Sequence, residues 1–288
     1  MTPDPGFRTD LYRGTAPFYD RYRTPYPDAL FDDLRRRMPL SGHGRVVDLA
    51  CGTGQIAFAL ARHAVEVIAV DQEGDSVAFG RAKAKAAGVS NITWVTGPAE
   101  TVMLNGPVEL VTVGNAFQRL NRPIVAQRMG SLLQPGGGLA LLWADSPWAG
   151  DLPWQTALRE LFAGWMARAG ANDRVPAGWE SAMKLDPHEE VLRRAGFEYV
   201  GKFDFTMEQT WTVETLTGFV YSTSFLNLHA LGGQAPEFER DLVERLGPYG
   251  ADGVFGQSAG YAYELARWGG VTFTAAGIFL VPLTPDGV

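Results

Sequence analysis

The sequence predicts an α/β fold, an open and mostly parallel sheet with helices on both faces. Three observations carry this. The apolar runs Val46–Ala50 (V-V-D-L-A), Glu66–Val70 (E-V-I-A-V) and Val108–Val113 lack the polar–apolar alternation of a strand with one wet face; strands covered on both sides lose it. Helically spaced segments separate those runs, the pattern of strand–helix–strand units. And Gly52-Thr53-Gly54 joins the first run directly to a helical stretch, Gln55–Arg62. A strand, a glycine turn and a helix start together make a concave site lined by backbone N–H groups.

Composition sets the frame. The 288 residues suffice for one large domain or a domain with a cap, and the charged and apolar fractions are those of a globular chain with a sizeable core. The net charge of −7 carries no basic run, which argues against a nucleic-acid partner. Cys51 is the single cysteine, so no internal disulfide forms, and metal-ligand spacings are absent. Neither a signal-peptide pattern nor an apolar run of membrane-spanning length is present. The expectation is a cytoplasmic protein with a small-molecule substrate, no membrane partner, and an oligomeric state left open, a homodimer included.

In chain order, the segment up to Pro27 is rich in aromatic residues (Phe7, Tyr12, Phe18, Tyr19, Tyr22, Tyr26) interleaved with Arg13, Arg21 and Arg23, and Pro17, Pro25 and Pro27 limit its helix content. It reads either as an arm packed on the core or as a lid. Asp28–Met38 reads as a helix capped by Asp28. After the glycine turn and its helix, the second strand ends in Asp71, whose two acceptor oxygens suit a vicinal diol; capping the helix Gly74–Gly88 is the alternative role. Asn91–Val95 is a third strand and Val108–Val113 a fourth. Helix Pro123–Leu133 and the turn Gln134–Gly138 lead to a fifth, Leu139–Ala144. Tryptophans 143, 148, 154, 165 and 179 then cluster, with a helix at Leu152–Ala169; this reads as a cap beside the site. Pro187–Ala195 is a helix, Gly196 to about Thr212 the sixth strand, Thr212 opens another helix, Pro236–Leu246 a further one, and Val271–Val281 the last strand. The implied organisation is a lid over 1–40, a core over 41–145, a cap over 146–190, and a completion of the sheet with second cap helices over 191–288.

The glycine pattern Gly52-x-Gly54-x-x-Ala57 also fits a dinucleotide fingerprint, in which the turn holds a pyrophosphate. Asp48 opposes that reading: a carboxylate facing the ligand repels phosphate and attracts an ammonium or sulfonium. A reductase would also want a Tyr-x-x-x-Lys pair, which is not evident. The stretch Asp48-Leu49-Ala50-Cys51-Gly52-Thr53-Gly54 closely resembles the first motif of class I S-adenosylmethionine (SAM) methyltransferases, and Leu133-Gln134-Pro135-Gly136-Gly137-Gly138-Leu139 resembles a later part of the same core. The resemblance covers roughly Tyr12–Ala144 with specific motifs.

That resemblance implies a Rossmann-like, mostly parallel sheet of seven strands with an N-terminal lid and an inserted helical cap, and SAM as cofactor, leaving S-adenosylhomocysteine. By it, Asp48, Ala50, Gly52 and Gly54 bind the cofactor, with Arg23 pairing the methionine carboxylate and the Asn115 carbonyl taking the ammonium. Asp71, with its neighbour Gln72, takes the ribose. Pro98 departs from the family, which has an acid there; Ala99 and Glu100 are left to meet adenine, and Phe117 packs near adenine or the transferring methyl. Gln118 and Arg119 depart from the family's N/S-A-F-H-W. For the acceptor the candidates are Tyr19, Tyr22 and Gln118, with His188 and His229 as possible bases. The resemblance implies methyl transfer to a small, aromatic or heterocyclic molecule of secondary metabolism, C-methylation of an indole-like ring included; N- or O-methylation, a non-methylating SAM-fold protein and an NAD-dependent reductase stand as alternatives.

Overall fold

The computed structural model describes residues 11–174, 179–250, 252–269, 272–274 and 277–279. Phe7 of the arm lies outside them, as do Val271, Ala275, Ala276, Leu280 and Val281 of the segment expected as the last strand and the side chain of Trp179. Elements run α1 (Ala16–Tyr22), α2 (Asp28–Arg37), β1 (Arg45–Leu49), α3 (Gln55–Ala61), β2 (Glu66–Asp71), α4 (Gly74–Ala86), β3 (Ile92–Thr96), β4 (Val108–Gly114), α5 (Arg122–Leu132), β5 (Leu133–Ala144) and α6 (Pro153–Arg168). There follow α7 (Trp179–Leu185), α8 (His188–Arg194), β6 (Phe197–Trp211), α9 (Val213–Tyr221), α10 (Leu228–Leu231), α11 (Ala235–Leu246), β7 (Phe255–Trp268), β8 (Thr272–Thr274) and β9 (Gly277–Phe279).

The first seven strands form one sheet in the order β3-β2-β1-β4-β5-β7-β6. Every pairing is parallel except those of β7, which runs antiparallel between β5 and β6. The expected α/β sheet of seven strands is therefore present. The strand order reverses between β1 and β4, and in open α/β sheets ligands bind at the C-terminal strand ends of such a point. Val46, Val47, Leu49, Val67, Ala69 and Val70 are fully buried, as strands with both faces covered require.

Two expectations change. The last strand of the sheet is β7, and Val271–Val281 contributes instead a separate pair, β8 with β9. β7 reads F-G-Q-S-A-G-Y-A-Y-E-L-A-R-W, poor in β-branched residues, yet 14 residues of it pair with β6 and seven with β5. Tertiary pairing overrides its weak local preference. Pro27, not Asp28, is the N-cap of α2; Asp28 is the first helical residue, where its charge complements the helix dipole.

The two cap segments share one core. Trp154, Leu158, Phe162 and Trp165 of α6 pack with Leu216, Phe219 and Val220 of α9 and with Phe238, Leu242 and Leu246 of α11. α8 belongs elsewhere: Val191 and Leu192 pack on the sheet beside Phe197 and Trp268. α9 is opened by a reciprocal cap, the Thr215 N–H donating to the Thr212 hydroxyl at 3.2 Å and the Thr212 N–H to the Thr215 hydroxyl at 2.8 Å. Thr212→Ala is expected to lower stability by about 1 kcal/mol, read as an earlier urea midpoint with an unchanged slope.

Candidate active site

β1 delivers the glycine loop to the reversal point. Ala50 already sits in the left-handed region at φ 51°, and Gly54 follows at φ 94°. A Cβ on Gly54 would lie 2.5 Å from the Trp94 ring, so both backbone angle and space demand glycine. Asp48, 1% exposed, accepts from the Ala57 N–H at 3.1 Å and from the Thr112 hydroxyl at 2.8 Å. Burial, partly offset by these two donors, pushes its pKa up to about 7. Asp48 was expected to face the ligand; its carboxylate instead braces β1 against α3 and β4, while the residue still lines the floor of the cleft. Its influence there is through charge.

Asp71 accepts from the Gly52 N–H at 2.7 Å and the Glu73 N–H at 2.8 Å, and burial raises its pKa. Each carboxylate oxygen retains a further lone pair for a hydroxyl donor. Asp71 is not the cap of α4, a place held by Glu73. Gln72 stands half-buried next to it at the end of β2.

The arm closes over this loop. Tyr19 lies across Gly52, with its ring 3.6 Å from where a Cβ would stand, and Tyr19 and Tyr26 line the cleft with Asp48, Ala50, Cys51, Gln55, Ile56 and Gly114. Burial raises the pKa of both phenols, so both stay protonated near neutral pH and neither is a ready base. Tyr22 turns away: its ring fills the space over Gly218, where a Cβ would lie 2.3 Å from it, and its hydroxyl reaches Glu214 at 3.4 Å. Of the two expected tyrosines only Tyr19 meets the cleft. Arg23 donates through Nε to the Ser222 hydroxyl at 2.7 Å and stacks over the Tyr19 and Phe219 rings, while its carbonyl accepts from Gln55 Nε2 at 3.2 Å.

Asn115, at φ 51° beyond β4, ties three elements together. Its Nδ2 donates to the Tyr26 hydroxyl at 3.0 Å, its Oδ1 accepts from the Ala144 N–H at 3.1 Å, and its carbonyl accepts from Gln118 Nε2 at 3.2 Å. Gln118 thus orients the Asn115 carbonyl.

Other expected residues stand further off. Ala99 is buried in the core on the α5 face, and Glu100 accepts from the Asn121 N–H at 2.9 Å, an anchor for the start of α5. Phe117, 2% exposed, packs in the same core, edge-on to His188 with ring centroids 5.2 Å apart. His188 opens α8 beside Phe117 and Trp143, its Nδ1 3.7 Å from Glu264 and its Nε2 buried without a hydrogen-bond partner among the described residues. His229 is exposed on α10 and does not line the cleft, because the Asn227 cap turns that helix's first residues to solvent. The tryptophans divide. Trp154 and Trp165 are core residues whose indole N–H groups bond the Gly256 carbonyl and Asp241, whereas Trp143 and Trp148 are only half-buried. The residues not expected in the cleft are Tyr26, Cys51, Gln55, Ile56 and Gly114; the spacing Tyr19-x-x-Tyr22-x-x-x-Tyr26 was the available signal for the first.

Comparison with known proteins agrees with this geometry. Residues 46–137 match the family model described as a methyltransferase domain. An uncharacterized methyltransferase of Mycobacterium bovis is 29% identical over 126 residues, 43% of this chain and 48% of that protein. A ubiquinone/menaquinone biosynthesis C-methyltransferase of Zymomonas mobilis is 30% identical over 103 residues, 34% and 43% respectively. The chain therefore spans about half the length of the curated relatives it matches. Among solved structures, that of a type II methyltransferase, so described provisionally, from Anaeromyxobacter dehalogenans shares the fold at a TM-score of 0.61 and 19% identity, covering 85% of this chain and 97% of that one. Glycine loop, strand order and the carboxylates at Asp48 and Asp71 agree with that match: residues 46–137 carry the sequence pattern of a methyltransferase domain on a sheet of the matching order.

Proposed function

We propose that the protein transfers a methyl group from SAM to a small aromatic or heterocyclic molecule. One observation carries the reading: two carboxylates, the buried Asp48 and the half-buried Asp71, frame the glycine loop, and Asp71 is tied to the loop's own Gly52 N–H. Such a site favours a cationic nucleoside and disfavours a pyrophosphate, which speaks against the reductase alternative.

Asp71 would take the ribose hydroxyls. The Asn115 carbonyl, held in place by Gln118, would take the methionine ammonium, with Arg23 at the carboxylate. SAM, when bound, supplies a methyl already activated on a sulfonium. The protein's work is then to align the acceptor and exclude water. Tyr19 and Tyr26 close the cleft from the arm side, and with protonated phenols they offer hydrogen-bond donors and ring faces rather than bases. Trp148, edge-on to Phe162, Phe219 and Phe225, and Trp143 supply apolar surface suited to a planar acceptor. His188, packed beside Phe117 and Trp143, is the base candidate. The C-methylating Zymomonas relative favours carbon as the acceptor atom.

Incubation with methyl-labelled SAM and a metabolite extract is expected to yield a labelled small molecule. SAM binding without any labelled product would assign a non-methylating role; absence of both heat and thermal shift at millimolar SAM would reject the reading altogether.

A further inference from the structure

Two arginines converge on one buried turn beside the cleft. Ser222, Thr223 and Ser224, which follow α9, are at most 1% exposed. Arg23 comes to this turn from the arm, through the Ser222 hydroxyl at 2.7 Å and the Ser222 carbonyl at 3.4 Å. Arg119 comes from the other side, the turn after β4, and donates from Nη2 to the Ser224 hydroxyl at 3.1 Å with its guanidinium over the Tyr12 ring at 5.9 Å. The scaffold beneath is firm: Arg174, 6% exposed, donates to the Ser224 carbonyl at 2.7 Å and to the Leu11 carbonyl at 3.0 Å.

The partners of Arg23 and Arg119 are hydroxyls, carbonyls and rings. Among the described residues neither meets a carboxylate, in a chain whose net charge is −7. Partly buried guanidinium groups ordinarily pair with an anion, because the loss of water is otherwise poorly offset. Arg119 uses one of its five N–H donors in a hydrogen bond, which leaves a planar fork suited to a carboxylate or a phosphate. Its place is four residues beyond Asn115, on the turn that carries Gln118, so an anion held there would sit at the acceptor side of the cleft.

We propose that the acceptor carries an anionic group, a carboxylate or a phosphate monoester, and that Arg119 binds it on the Ser222–Ser224 turn with Arg23 adding to the positive field. The proposal rests on the methyltransferase reading above and narrows its substrate to an aromatic anion. It also gives the departure at Arg119 a role: a cation stands where the family's usual residue is an aromatic.

The test uses three fluorescent probes, 1-naphthoate, 1-naphthyl phosphate and uncharged 1-naphthamide, titrated into the full chain with and without saturating S-adenosylhomocysteine. The expected result is that at least one anion binds about tenfold more tightly than the amide, as a charge-assisted pair requires; the ratio between the two anions tells carboxylate from phosphate. Arg119→Gln is expected to bring anion and amide within about twofold of one another, and Arg119→Lys to restore part of the preference, since it keeps the charge and loses the fork. A folding defect would weaken all three probes together and leave the ratio intact, so the ratio is the readout. Equal binding of amide and anions by the wild type, or an anion preference that survives in Arg119→Gln, overturns the proposal. Failure of S-adenosylhomocysteine to bind would instead count against the methyltransferase reading, and the probe ratios without it still decide the anion site.

Discussion

Asp71→Ala is expected to weaken SAM binding by about 100-fold, roughly 2.7 kcal/mol. The carboxylate has two tasks. It holds the Gly52 N–H at 2.7 Å and the Glu73 N–H at 2.8 Å, which fixes the glycine loop against the end of β2. Its remaining lone pairs are the acceptors available for two adjacent ribose hydroxyls. Alanine removes both the loop tether and the acceptors, leaving two N–H groups without their partner. Asp71→Asn separates the tasks: its amide oxygen keeps one acceptor, so an intermediate loss of about tenfold is expected. Isothermal titration with SAM, alongside melting temperatures without ligand, reads the two contributions. A dissociation constant for Asp71→Ala within threefold of wild type would remove the ribose assignment.

The role of Asp71 is legible in the sequence because the local chemistry of this loop is explicit. Val46–Gly54 shows a strand buried on both faces, and a turn with positive φ needs glycine at Gly54. Asp71 follows at the end of the next buried strand. What stayed hidden depends on contacts distant in sequence. β7 is central in the sheet, but its glycines, alanines and serine carry little strand preference, and pairing with β5 and β6 decides it. Tyr22 and Tyr19 look alike in the arm; Gly218, some two hundred residues on, provides the space that draws Tyr22 onto α9. The tryptophan cluster reads as ligand surface only until α11 and α9 are seen to cover Trp154 and Trp165. The aspartate at 48 was legible as a charge near the ligand, and its bonds to Ala57 and Thr112 were not.

Those bonds set up the second large effect. A native pKa of about 7 against an ordinary 3.8 means that Asp48 holds its proton in the folded chain after the unfolded chain has lost it. More protons are then bound in the folded state, so this residue's contribution to stability falls as pH rises from about 4 to about 7 and is level beyond. The full penalty is about 4 kcal/mol as an upper bound, from 1.36 kcal/mol per pH unit. Asp48→Asn removes the titration and keeps the bonding: its amide oxygen accepts from the Ala57 N–H, its NH₂ donates to the Thr112 hydroxyl, and that hydroxyl already lies 3.4 Å from the Val47 carbonyl. Denaturant melts should therefore show Asp48→Asn nearly equal to wild type at pH 4 and more stable by a few kcal/mol at pH 8, with the gain developing between those values. SAM affinity at pH 8 should move the other way, falling as the negative charge under the cationic ligand is lost. A stability difference that does not change with pH would show Asp48 to be an ordinary ionised carboxylate. A gain in stability without a loss of SAM affinity would show that its charge serves the fold alone. A more stable protein with a weaker grip on its ligand is the pair of effects expected of a site that keeps an unfavourable buried charge for binding.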